Sequence, residues 1–210
     1  MIIQPNKYKN IIFDLGGVLL NIDYDITAKA FEKLGIPQFQ KLFSKAEQNQ
    51  TFDLYEKGLI TSDEFRVAMN KALKTPVSKE IIDNAWNAML LDLPQPRVNL
   101  LKKFKSTHRT FLLSNTNEIH IQQFSKSLQQ QLGVPDLSSF FEKVYLSYEI
   151  NLRKPDAEIF HYVLDNSGLD PKETLFIDDS PQHIEGAKQP GIQTYWLDVK
   201  KESIIDVLGF

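Results

Sequence analysis

Four short apolar runs in this chain each end in a residue type that phosphoryl chemistry uses. Ile11-Ile12-Phe13 runs into Asp14, followed by Gly16-Gly17. Phe111-Leu112-Leu113 ends in Ser114-Asn115, and Leu175-Phe176-Ile177 ends in Asp178-Asp179. After a further run comes Lys154-Pro155, just ahead of a helical pattern. Carboxyl ends of parallel strands are where ligands bind in open α/β sheets, so these residues would converge on one edge. A carboxylate such as Asp14 can attack phosphorus and split one hard step into two easier ones. Nucleophile and phosphate are both anionic, so the site needs positive charge. Mg²⁺ supplies it through oxygen ligands, with Asp14 and Asp179 as carboxylate candidates and Asp178 as an additional or supporting partner. Lys154 would neutralise phosphate charge, while Ser114 and the backbone around Asn115 would donate hydrogen bonds to its oxygens.

Each residue alone has a plainer reading. Asp14 could serve a turn or a helix cap, Asp178-Asp179 could cap a helix opening at Ser180-Pro181, and Lys154 could be a surface side chain. The order of all four strand ends is what favours chemistry.

The elements that would hold them follow from periodicity. Strand-like runs recur at Ile11–Leu15, Thr110–Leu113, Lys143–Leu146, Thr174–Ile177 and Thr194–Leu197, mostly separated by helical patterns. That alternation predicts a Rossmann-like parallel sheet in a three-layer α/β/α core. The interval between the first two runs is far longer than one crossover needs. Within it, Ala28, Phe31 and Leu34 form an apolar stripe closed by Gly35, and Thr61 with Glu64 reads as a capping box. Ser78 would cap a helix with Ile81, Ile82, Ala85, Trp86 and Met89 on one face, and Phe31, Phe39, Phe43, Phe52 and Phe65 would fill the interior. The prolines of Asp92-Leu93-Pro94-Gln95-Pro96-Arg97 would stop a helix and stiffen a connector. We therefore expect a core of residues 1–20 plus 94–210 with an inserted α-helical bundle cap at 21–93, hinged near Asn21–Asp25 and Pro94–Pro96. The same pattern also fits a long helical part of a single domain.

Composition sets the outer limits. The 210 residues are 42% hydrophobic and 24% charged, with a net charge of −3, so neither nucleic acid nor an anionic membrane is an expected partner. The chain lacks cysteine, which excludes disulfides and thiolate metal sites. No stretch has the length of a secretory signal's apolar region or a membrane span, so the expectation is a soluble cytoplasmic protein acting on a small phosphorylated metabolite. No pattern points to a particular oligomeric state. His108, His120, His161 and His183 show no metal-binding spacing and read as surface or helix positions. Ser114 lacks the G-x-S-x-G elbow of a serine hydrolase, and no dinucleotide fingerprint surrounds Gly16.

Taken in order, FDLGGVL, LLSN, RKP and FIDD resemble the four motifs of the haloacid dehalogenase superfamily, mostly Mg²⁺-dependent phosphatases. The resemblance covers nearly the whole chain. The helical interval resembles that family's small cap, including EKGLITSDEF at 56–65. LSNTNEIH at 113–120, LRKPDAEIF at 152–160 and IDDSPQHIEGA at 177–187 are most similar to a bacterial sugar-phosphatase branch that includes α-D-glucose-1-phosphate phosphatases. The phosphatase domain of soluble epoxide hydrolase is a more distant likeness. The resemblance implies Asp14 as nucleophile and metal ligand, the Gly16 carbonyl and Asp179 as further Mg²⁺ ligands, and Ser114, Asn115 and Lys154 around the phosphate.

Gly16 departs from the family's usual pattern, in which a second Asp acts as general acid and base. That function is typically worth about 10²–10⁴-fold. A good leaving group, such as the anomeric oxygen of a hexose 1-phosphate, would need it less. Asp23 and Asp25 are nearby acids, with Asp23 read as a cap or substrate contact. Two alternatives share the fold: a metal-independent 2-haloacid dehalogenase, whose Asp attacks carbon, and a non-catalytic module that binds a phosphometabolite. Retention of Asp178-Asp179 beside a nucleophilic Asp weighs against the first, since like charges would only raise pKa values there. Retention of every metal and nucleophile position weighs against the second.

Overall fold

The computed structural model describes residues 3–36, 39 and 50–210. Strands β1 (Asn10–Phe13), β2 (Arg109–Ser114), β3 (Lys143–Leu146), β4 (Thr174–Asp178) and β5 (Gln193–Trp196) form one parallel sheet in the order β3-β2-β1-β4-β5. The first strand in sequence is thus the central one, with Phe13 in register with Leu112 on one side and Ile177 on the other. All five expected runs are strands, with ends displaced by a residue or two. Between β1 and β2 the described residues form α1 (Tyr24–Leu34), α2 (Gln50–Glu56), α3 (Ser62–Ala72) and α4 (Lys79–Asn87). Beyond them lie α5 (Gln95–Thr107), α6 (Glu118–Leu132), α7 (Ser147–Ile150), α8 (Ala157–Ser167), α9 (Pro181–Lys188) and α10 (Ile204–Val207).

Alternation along the strands divides the core into two layers. Ile11 and Phe13 pack with Leu101 and Phe104 of α5, Phe124 of α6 and Ile204 of α10. Ile12 faces the other way and joins Phe111, Phe176, Phe160 of α8 and Ile184 of α9. Burial on both faces explains why β1 is a continuous apolar run rather than an alternating one.

Helices α1 to α4 bury a third cluster of their own. Phe31, Phe39, Phe52, Tyr55, Phe65 and Trp86 are its buried aromatic members, and Ile119 of α6 is the one buried member that comes from beyond β2. Phe31 stacks on Phe39 at 4.3 Å and Tyr55 on Phe65 at 4.4 Å. Each such pair adds about 0.5–1.5 kcal/mol to the burial of its rings. Phe43 lies outside the described residues. The capping box forms as read, with the Thr61 N–H donating to Glu64 Oε2 at 2.7 Å and the Glu64 N–H to Thr61 Oγ1 at 3.2 Å. Two local readings need correction. Ile81 is 42% exposed, because the buried face of α4 runs through Ile82, Ala85, Trp86 and Met89, and Ile81 sits one position off it. Pro96 lies in the first turn of α5 rather than in a connector, a place where its missing N–H is no loss.

The chain leaves and re-enters the core along a short two-stranded ribbon. The Asn21 N–H donates to Asp92 O at 2.9 Å, the Leu91 N–H to Asn21 O at 3.0 Å and the Asp23 N–H to Met89 O at 3.0 Å. Ile22 and Leu90 form an antiparallel bridge. Arg97 ties the ribbon to the core through Leu19 O at 2.8 Å and Asn21 Oδ1 at 2.9 Å.

Candidate active site

Asp14 stands one residue past β1, its N–H donating to Ile177 O of β4 at 3.0 Å. The chain then doubles back, and the Leu20 N–H reaches Leu15 O at 2.8 Å. Gly17 has φ +81°, and a Cβ there would stand 2.6 Å from Asp179 Oδ2, so both backbone and space demand glycine. Gly16 is constrained differently. A Cβ there would meet Ile22 Cδ1 at 3.0 Å, so a hydrophobic side chain occupies the place where a second acid would begin.

Sheet order now brings the remaining residues to Asp14. Ser114 is the buried last residue of β2, directly beside β1. Lys154 is completely buried, not superficial, and its Nζ donates to Asp14 Oδ1 at 2.6 Å, Asp178 Oδ2 at 2.7 Å and Leu113 O at 2.9 Å. Asn115 has its side-chain amide engaged: Nδ2 donates to Lys154 O at 2.8 Å and Oδ1 accepts from the Lys154 N–H at 2.9 Å. The amide therefore positions the lysine, and a phosphate contact by Asn115 would come from its main chain. Asp178 ends β4 and is fully buried; its Oδ1 accepts the Ser180 N–H at 2.8 Å, which fixes the turn ahead of α9 rather than capping the helix. Asp179 is less buried and faces Gly17. Asp23 caps α1 instead, accepting the Asp25 N–H at 2.9 Å.

Asp14, Asp178 and Asp179 each offer a carboxylate oxygen within 4.8 Å of the other two. Three carboxylates around one ammonium concentrate negative charge at the sheet edge. This all-oxygen set suits a hard divalent cation such as Mg²⁺, which would offset that charge. The electrostatics report the same crowding. Burial pushes the Asp14 carboxyl up to about 7; Asp178 and Asp179 add to the rise, and Lys154 opposes it. Burial also works against ionisation of Asp178, but Lys154 and a hydrogen bond from His183 hold its carboxyl well below the usual range. Lys154 itself is raised, because Asp14 and Asp178 outweigh the effect of burial.

Two neighbours escaped the sequence reading. His183, in the first turn of α9, places Nδ1 2.9 Å and 3.0 Å from the two Asp178 oxygens; an acid at a strand end five residues before a His on the next helix was the available signal. Tyr24 opens α1. Although the residue is 36% exposed, its phenol is raised by burial and then by the charges of Asp179, Asp14, Glu56 and Asp178, so it lies within electrostatic reach of the carboxylates. Of the other histidines, His120 is buried against Trp86 at 4.9 Å rather than at the surface, and His161 lies on the exposed side of α8. Among the described residues, no helix is long and apolar enough to cross a membrane.

Comparison with known proteins agrees with this geometry. Residues 8–191 match the haloacid dehalogenase-like hydrolase family. D-ribitol-5-phosphate phosphatase of Bacteroides thetaiotaomicron is 32% identical over 187 residues, covering 89% of this chain and 90% of that one. A HAD-family enzyme of the same organism, solved with magnesium and inorganic phosphate, superposes with a TM-score of 0.84 at 39% identity, over 93% of this chain and 96% of that one. A HAD-like hydrolase of Porphyromonas gingivalis gives a TM-score of 0.86 at 28% identity, over 96% of each chain. With its motifs on consecutive strand ends, its acids gathered around a buried lysine and its likeness end to end, the chain belongs to the haloacid dehalogenase-like hydrolases.

Proposed function

We propose that this protein is a Mg²⁺-dependent phosphatase acting on a small sugar or polyol phosphate through an aspartyl-phosphate. The observation that carries the reading is Lys154 bridging Asp14 and Asp178 beside Asp179. Asp14 forms a carboxylate oxygen–phosphorus bond as the ester bond breaks, and the alkoxide leaves with a proton from water. Water then attacks the aspartyl-phosphate, restoring Asp14 and releasing inorganic phosphate. Bound Mg²⁺, held by Asp14, Asp179 and the Gly16 carbonyl with Asp178 as an additional ligand or support, supplies the charge that lets two anions meet. Lys154 keeps the two buried acids in place, and with Ser114 and the main chain at Asn115 it steadies the phosphate.

Residues 21–93 act as a cap over this site, and residues 1–20 plus 94–210 as the core. The paired ribbon and the separate aromatic cluster support that division. Closure would exclude water and place cap residues against the part of the substrate that is not phosphate.

A polyol or sugar 5-phosphate is our first substrate class, on the strength of the D-ribitol-5-phosphate phosphatase likeness. Gly16 favours a second reading, hexose 1-phosphate, whose anomeric oxygen departs with less help from an acid. The test is phosphate release from D-ribitol 5-phosphate, glucose 1-phosphate and glucose 6-phosphate, with Mg²⁺ or a chelator, in the wild type and Asp14→Asn. Metal-dependent release lost in the variant is expected, and the preferred ester decides between the two classes. Halide release from 2-haloacids without metal would overturn the phosphatase.

A further inference from the structure

The residue next to Lys154 faces the opposite way. Arg153 Nη1 donates to Asp53 Oδ1 at 2.7 Å, and Nη2 pairs with Glu56 Oε2 at 2.8 Å; both acids belong to α2. Its side chain is only 12% exposed, and that of Glu56 14%. Lys57 continues the network, pairing with Asp53 at 3.5 Å and with Asp156 at 3.6 Å. Three uncharged contacts run alongside. Asn151 Nδ2 donates to Lys57 O at 2.7 Å, the Tyr55 hydroxyl accepts the Ile119 N–H at 3.3 Å, and Gly58 lies so close to Tyr148 O that a Cβ there would stand 2.0 Å from it. The loop at 148–156 therefore grips the end of α2 while also delivering Lys154 to Asp14.

We infer that Arg153 is a positioning residue that latches α2 onto the Lys154 loop, so that a loop anchored at the phosphate site also fixes where the helical segment sits over it. The guanidinium suits this task because its planar fork reaches two carboxylates at once, which a lysine ammonium on a flexible stem does not do in fixed geometry. The pairing is also well enclosed, so truncating one partner leaves an unmatched buried charge rather than a solvated one. Glu56 itself lies within electrostatic reach of both Lys154 and Tyr24, so the latch sets where the polar underside of the segment meets the sheet edge. A substrate with a polyol chain needs that underside in place; one that is little more than phosphate does not.

The test compares wild type, Arg153→Ala, Arg153→Lys and the double variant Asp53→Asn/Glu56→Gln, with two readouts. The first is amide hydrogen exchange in the Mg²⁺-loaded protein: α2 amides in Arg153→Ala should exchange at least about 10-fold faster while β1 and β4 are unchanged. The second rests on the phosphatase reading. The kcat/KM for D-ribitol 5-phosphate should fall by about 10²-fold, mainly through KM, while that for acetyl phosphate changes by less than about 5-fold. Arg153→Lys should recover part of the loss, and the acid double variant should reproduce it if Arg153→Ala folds poorly. Unchanged exchange at α2 in both, or equal losses on the large and small substrates, would overturn the latch. A wild type inactive on every phosphate ester would overturn the phosphatase reading alone, with the exchange comparison still deciding the latch.

Discussion

The carboxyl edge of the sheet and the seam where the helical segment meets it arrange charge differently. At the edge, Lys154 pairs with Asp14 and Asp178, and Asp179 stands within 4.8 Å of both, so three carboxylates crowd one buried ammonium. At the seam, Arg153 and Lys57 are shared among Asp53, Glu56 and Asp156, so each carboxylate there has a cation within ion-pair distance, and most of the remaining contacts are hydrogen bonds. On the far side, Trp86 Nε1 donates to Asn117 Oδ1 at 3.2 Å, Ser62 hydrogen-bonds Glu118, and His120 meets Asn87 Oδ1 at 2.9 Å. A site built to receive a cation and an anion crowds acids around one buried lysine, whereas a seam that holds two parts together spreads its charges into separate ion pairs. Buried charge that is not compensated is costly, so its persistence at the edge points to a ligand that completes it.

Changes at the edge should have the largest effects. Asp14→Asn removes the nucleophile and should lower kcat by at least about 10³-fold in the phosphate-release assay, with the fold retained by circular dichroism. Lys154→Ala leaves Asp14 and Asp178 facing each other without their shared cation. It should lower unfolding free energy by about 3–5 kcal/mol in urea, and added Mg²⁺ should restore more stability in this variant than in the wild type. Equal rescue by Mg²⁺ in both would mean that lysine and metal do not answer the same charge.

At the seam the effects should be smaller and selective. Gly58→Ala puts a Cβ on a residue at φ +64° and against Tyr148 O, so it should cost about 1–3 kcal/mol and wedge α2 away from the loop. Like Arg153→Ala, it should impair the polyol ester more than acetyl phosphate. The smallest effect concerns pH. Burial lowers the His120 imidazole to about 3, so the ring is neutral when folded, with Nδ1 donating to an amide oxygen that can only accept. An ordinary histidine in the unfolded chain binds a proton below about pH 6.5, and the folded protein does not. Stability tied to His120 is therefore complete above that pH and is lost as pH falls, by about 2 kcal/mol at pH 5. His120→Gln should flatten that part of the stability curve; an unchanged slope would assign it to other groups.

How much of this was readable beforehand follows the same division. Asp14, Ser114, Asp178 and Asp179 each stand where an apolar run ends, and a parallel sheet gathers such ends whatever lies between them. Lys154 could be named because it follows the third run, although its complete burial and double ion pair could not. The seam left almost no mark in sequence. Arg153 and Asp53 are separated by 100 positions, and only docking decides that one guanidinium meets two acids of α2. The backbone at Asn115 was readable as a phosphate contact, whereas the hold of its side-chain amide on the lysine's main chain was not. Ile81 failed as a core position for a simpler reason: helical phase tolerates one neighbour at the stripe's border, and the depth of the bundle decides whether that neighbour is covered.

The ribbon at Asn21–Asp23 and Met89–Asp92 also bears on how the chain folds. β1 must find β2 and β4, and both lie far along the sequence. Once the ribbon closes, the whole excursion through α1–α4 becomes a side loop, and the stretch that must be searched between β1 and β2 shrinks by roughly two doublings of length, or about 1 kcal/mol of closure entropy. An excursion that packs its own aromatics first and pins its own ends would turn the slowest long-range pairing in the sheet into a nearly local one, so its early collapse would set the pace for the strand that carries Asp14.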